Sequence, residues 1–136
     1  MSANNKQLIK NWIEKKLQGQ GNPLEDLDQQ VVFFIPGASA NPLFGKFVGI
    51  EEVKRFFQLL QAKLLQKKVT QSFLVKDYIA DKKQVVVLLE ETFIPEKEPS
   101  NVSFNHTAWV FKLNDEQKIV DLYCYDNTLV TSKVLE

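Results

Sequence analysis

The sequence has one cysteine, one histidine and no excess of charge: seventeen Lys and Arg stand against seventeen Asp and Glu in 136 residues. A lone Cys124 excludes an internal disulfide framework and a zinc ribbon. A lone His106, with no second histidine or clustered carboxylate pair at ligand spacing, gives no metal site. A balanced chain lacks the positive field that nonspecific nucleic-acid or anionic-membrane binding needs, so neither is expected as a partner. The longest unbroken apolar runs, Val31–Ile35 and Val85–Leu89, are far too short to span a bilayer. The start, Met1 to Lys6, is polar and has no apolar stretch behind a basic segment, so no targeting signal is read there and a cytoplasmic location is expected. No repeat, low-complexity tract or linker interrupts the chain. Two Asn-x-Ser/Thr triplets, at Asn101 and Asn105, are chance occurrences in such a chain.

What is present is enough for one core. Hydrophobic residues make up 44% of the chain, and a chain of this mass buries about 68% of its extended surface on folding. One domain over residues 1–136 is expected. Leu8, Ile9, Trp12, Ile13 and Leu17 share a face at helical spacing and predict a helix over 4–18. Asn22 followed by Pro23 suits a capped helical turn to Leu27. Val31–Ile35 is apolar on both parities and reads as a strand covered on both sides. A short strand over 45–48 follows. Gly49 then opens a helix whose stripe is Ile50, Val53, Phe56, Phe57, Leu60 and Leu64, with Glu51 and Glu52 in the first turn. After Lys68 the period changes to two, which predicts strands near 69–80, 84–95, 103–113 and 118–126. Helices early and strands together late argue α+β with an antiparallel sheet. Val85–Leu89 is apolar on both faces, so the second face is expected to meet another subunit.

This order resembles the nuclear transport factor 2-like superfamily, and within it the SnoaL-like and ketosteroid-isomerase-like group. The resemblance rests on four stretches: Val32 to Gly37, Pro42 to Gly49, Ile50 to Phe57 and Lys118 to Asp126. It implies a single SnoaL-like domain in which a cone-shaped, curved antiparallel sheet, the cystatin-like roll, wraps around N-terminal helices. It also implies a deep pocket between the first helix and the concave face, and a homodimer through the convex face. No cofactor is implied.

The isomerase subgroup carries a base at the end of its first strand and an oxyanion-holding tyrosine on its first helix. Those positions are Ile35 and Trp12 here. Isoleucine takes no proton and an indole is a weak donor, so steroid-type isomerisation is not expected. The cyclase subgroup places an acid/base carboxylate in its last strand. The matching position is Cys124, and Asp126 is the next residue of the same parity. If Leu113 pairs with Lys118, Trp109 faces Leu122, Thr107 faces Cys124 and Asn105 faces Asp126. One face then carries Asn105, Thr107, Trp109, Phe111, Leu122, Cys124 and Asp126; the other carries His106, Val110, Tyr123 and Tyr125. A slip of one residue would move His106 across. Glu90 and Glu91 point to opposite faces, and the sequence leaves open which enters the pocket.

The expected function is therefore the binding of a small apolar organic molecule, with Trp12, Phe33, Asn105, Trp109, Phe111 and Cys124 at the site. One alternative is an enzyme of lyase, isomerase or hydrolase type with Asp126 as acid/base, assisted by His106 or Asn105. The other is a protein-interaction domain that uses the convex sheet.

Overall fold

The computed structural model describes residues 2–37 and 41–135, and of Ser2, Thr128 and Leu129 the backbone alone. Helix α1 (Ser2–Glu14) carries the expected stripe, with Ile9, Trp12 and Ile13 fully buried. It stops four residues before the expected end, and Lys16–Gln18 tightens into a 3₁₀ turn closed by Gly19 at φ 90°. A second 3₁₀ turn, Pro23–Asp26, begins where Asn22 Oδ1 accepts from Leu24 N at 3.0 Å. Strand β1 (Leu27–Ile35) and the short β2 (Gly45–Val48) pair antiparallel. Helix α2 (Ile50–Lys67) follows, then β3 (Val69–Asp81), β4 (Gln84–Pro95), β5 (Ser103–Leu113) and β6 (Ile119–Tyr125). A last helix, α3 (Thr128–Leu135), was not expected from the sequence.

The six strands form one curved sheet in the order β2-β1-β6-β5-β4-β3. The fold is α+β, but the sheet is mixed rather than wholly antiparallel: β1 lies parallel to β6, with Phe33 opposite Leu122. A meander of β3 to β6 has a free edge at β6, and β1 fills it running the same way, far from its neighbour in sequence. The sheet does not close. β1 is also less symmetrically covered than its composition suggests. Val31, Phe33 and Ile35 are buried while Val32 and Phe34 are half-buried on the other face.

Alternation assigns the faces. Val85, Val87, Leu89, Glu91 and Phe93 of β4 are buried, and so are Asn105, Thr107, Trp109, Phe111 and Leu113 of β5. Their concave face holds the core together with α1, and Trp12 meets Phe33 and Phe111 edge-on. α2 is more loosely held. Val53 is its one buried residue, and Phe56 and Phe57, on the same stripe, are half-buried. Among the described residues no helix is long and apolar enough to cross a membrane.

Candidate functional site

A cavity of about 500 Å³ lies between the end of α1, the inner face of α2 and the concave face of the sheet. Its walls are aromatic and aliphatic: Trp12, Phe33, Ile35, Phe44, Phe56, Phe57, Phe73, Trp109 and Leu122 all reach it. One end is polar, formed by Gln71 of β3, Glu91 of β4, Cys124 of β6, Asp126 just beyond β6, and Thr131 of α3. The elements converge there because the meander brings Phe73, Glu91 and Asn105 side by side across three strands, and the hairpin brings Trp109 beside Cys124.

Glu91 is 6% exposed. Gln71 Nε2 donates to its Oε2 at 2.6 Å and Asn105 Nδ2 to its Oε1 at 3.4 Å. Burial, with the neighbouring Asp126 charge added, pushes its carboxyl up to about 7 despite those two donors. Asp126 is pushed up to about 6, chiefly by burial. Its Oδ1 is fully buried and accepts no hydrogen bond from the described residues, which is costly for a carboxylate oxygen. Cys124, wholly buried beside both, has its thiol pushed well up, first by burial and then by the two carboxylates. It is therefore a protonated wall residue rather than a nucleophile. Two carboxyl groups thus share one end of an apolar cavity, the arrangement in which protons move at neutral pH. Among the described residues neither forms an ion pair; Lys16, further round the wall, is bound to Glu25 and Asp26.

The structure sorts the expected site residues by depth and by face. Trp12, Phe33, Trp109, Cys124 and Asp126 line the cavity. Phe111 shares their face but lies one layer deeper, fully buried against Trp12 and Trp109. Asn105 is buried behind the polar end, where Nδ2 also reaches Thr131 Oγ1 at 3.4 Å and Oδ1 accepts from Asn127 N at 3.0 Å. It props the Glu91 carboxyl and holds the backbone next to Asp126 through Asn127, rather than facing the cavity. His106 is not brought to Asp126. It stands on the convex face with an 82% exposed side chain, 3.9 Å from Glu90, so the pairing of those two expected residues is corrected. The hairpin register is shifted by two from the expected one, with Trp109 opposite Cys124 and a bulge between Lys112 and Leu113. A shift of two keeps every side chain on its face. Glu91, undecided with Glu90 in the sequence, is the member that enters. The indole of Trp12 is no oxyanion donor, since Nε1 donates to Pro23 O at 2.8 Å. The loop from Pro36 to Pro42, which its place between two strands suits to cover the opening, includes residues 38–40, which lie outside the described residues.

Neither a protein-family profile nor a curated protein matches the chain. Solved structures do. An NTF2-like protein of unknown function from Burkholderia pseudomallei K96243 is 17% identical, with 97% of each chain covered and a TM-score of 0.80. TerC, co-crystallised with polyporic acid, is 14% identical over 96% of this chain and 97% of its own, also at 0.80. The chain has the NTF2-like fold. A Jannaschia sp. CCS1 protein assigned as a SnoaL-like polyketide cyclase superposes at 0.75, with 13% identity over 98% of this chain and 92% of its own. At such identities the likeness is one of fold, and the chemistry of this NTF2-like chain has to be read from its own cavity.

Proposed function

We propose that the cavity binds a small, largely apolar organic molecule whose polar group reaches the Glu91–Asp126 end. The observation that carries this reading is the cavity itself, about 500 Å³ with aromatic walls closing on buried carboxyls, the usual make-up of a small-molecule site. Its neighbours in fold include a protein crystallised with polyporic acid and one assigned as a polyketide cyclase. The reading takes residues 1–136 as one SnoaL-like domain and places it in the cytoplasm. Native mass spectrometry of the protein purified without denaturation is expected to show adducts of a small molecule that denaturation removes. A bare chain mass, with no shift from an apolar compound library, would count against the reading.

One observation favours a catalytic version. Asp126 Oδ1 has no partner among the described residues, and a carboxyl near neutrality is suited to take a proton from a bound molecule and return it. Lyase, isomerase and hydrolase steps can each use such a group. The steroid-isomerase arrangement is not supported, because Ile35 stands at its base position and the Trp12 N–H is taken. Asp126→Asn keeps the shape and removes the proton exchange. It is expected to lower turnover by about a hundredfold or more while binding survives. An unchanged rate would remove Asp126 from the chemistry, and no turnover in the unmodified protein would leave a binding protein only.

The partner we propose is a second copy of this chain, through the convex face. Val48, Leu74, Ile79, Leu88 and Tyr125 are each at least 40% exposed there, and Phe34, Tyr123 and Tyr125 form a stacked row. The chain exposes 7963 Å², against about 7,300 Å² for a compact monomer of its mass. Light scattering at tens of micromolar is expected to give twice the chain mass, and Leu88→Glu to return it to a monomer. A monomer in the unmodified protein would instead leave that face for another protein.

A further inference from the structure

The polar end of the cavity bears two carboxyl groups, and among the described residues no cation pairs with them; Lys16 and Lys54 also line the cavity but form no ion pair with either. Glu91 comes from β4 and Asp126 from the segment after β6, so separate parts of the chain deliver them to one place. Each oxygen of Glu91 already accepts from an amide, Gln71 on one side and Asn105 on the other. Asp126 Oδ1 is as deeply buried and, among the described residues, accepts from nothing. What is missing at this point is a donor. Two aromatic rings belong to the same end of the cavity: Phe73 lies opposite Glu91 in the strand register and Trp109 opposite Cys124. Those rings meet edge-on at 5.2 Å between centroids, and both line the cavity. Acceptor oxygens beside aromatic rings form the environment that stabilises an organic cation.

We infer that the occupant of this cavity is an amine with an apolar body, its ammonium group donating to Asp126 and lying beside Phe73 and Trp109. The inference rests on the ligand-binding reading above and names the ligand's chemistry. A carboxylic acid would face like charge at this end. A neutral alcohol could satisfy Asp126 but would gain nothing from its charge. The titratable groups facing the pair are each other and the Cys124 thiol; Gln71, Asn105 and Thr131, the other polar neighbours, do not titrate. An ammonium ion should therefore bind more tightly as pH rises through about 6 to 7, the range in which the pair loses its protons.

The test compares three probes of one shape, benzylamine, benzyl alcohol and benzoate, by calorimetry on the full chain. At about pH 8 the amine is expected to bind at least about tenfold more tightly than the alcohol, and benzoate more weakly than either. The amine's advantage should shrink severalfold by about pH 5, where both carboxyls are protonated. Asp126→Asn should remove it while alcohol binding persists; if that variant does not fold, Glu91→Gln should reduce it. Equal affinities for amine and alcohol, or a preference for benzoate, overturn the inference and leave the ligand-binding reading standing. Failure of all three probes to bind overturns both.

Discussion

Phe111→Ala is expected to cost about 3–5 kcal/mol of stability, at the top of the range for a single truncation. Phe111 is completely buried and sits beneath the cavity, not in its wall. Trp12 packs on it edge-on at 5.5 Å and Trp109 at 6.4 Å, and its strand neighbours are Val85 and Leu122. Removing the ring leaves a void among side chains fixed on both strands and on α1, so little can collapse into it. The same change at Phe57 only enlarges a cavity that already exists, and half of that loss or less is expected. Urea denaturation of the two variants checks the ranking; equal losses would show that Phe111 also borders open space.

Glu91 carries the second large effect, and its sign is unusual for a carboxylate. Its pKa rises from an ordinary 4.5 to about 7 on folding, so the folded state holds a proton that the unfolded state has released. Stability is then full below about pH 4.5 and falls as pH rises through 7. Burial of Asp126 acts in the same direction between 3.8 and about 6. For Glu91 alone the loss over this window is on the order of 3 kcal/mol. Glu91→Gln removes the ionisation. It is expected to fall about 1 kcal/mol below the unmodified protein near pH 4, because one flanking amide must turn over to suit the new NH₂, and to exceed it by about 1–2 kcal/mol near pH 8. Melting curves at the two pH values read this directly. A variant less stable at both would mean that Glu91 is held as a partnered anion.

The sequence was most informative where periodicity speaks. The shift from a helical repeat to alternation after Lys68 located β3, β4 and β5 to within a residue or two, and parity alone put Trp109, Cys124 and Asp126 on one face. Depth along that face is not written in parity. Phe111 and Asn105 were expected at the cavity because they share its face, yet one lies under the wall and the other behind it. Strand neighbours far apart in sequence leave no local trace either, so the parallel β1–β6 pair went unread. α3 was hidden by its composition. Thr128, Val130, Thr131 and Val134 are poor helix formers, and Asp126-Asn127 reads as a turn. Its place is fixed by Leu135, which is fully buried with Leu43 and Phe93. Glu91 became recognisable only once the β4–β5 register set it against Asn105.

The parallel pair has a consequence for how the molecule is made. In sheet order β6 is the strip that joins β1 and β2 to the meander, yet it is the last strand to leave the ribosome. Partners such as Phe33 and Leu122 lie about 90 residues apart in the chain, a long loop to close before any contact rewards it. Until then β1 presents a bare inner edge, and so does β5. The cavity has no floor in that interval, because Leu122, Cys124 and Asp126 arrive with the final segment. A nascent chain arrested before Ile119 would therefore hold two unpaired edges and no binding site, and would be a ready client for chaperones.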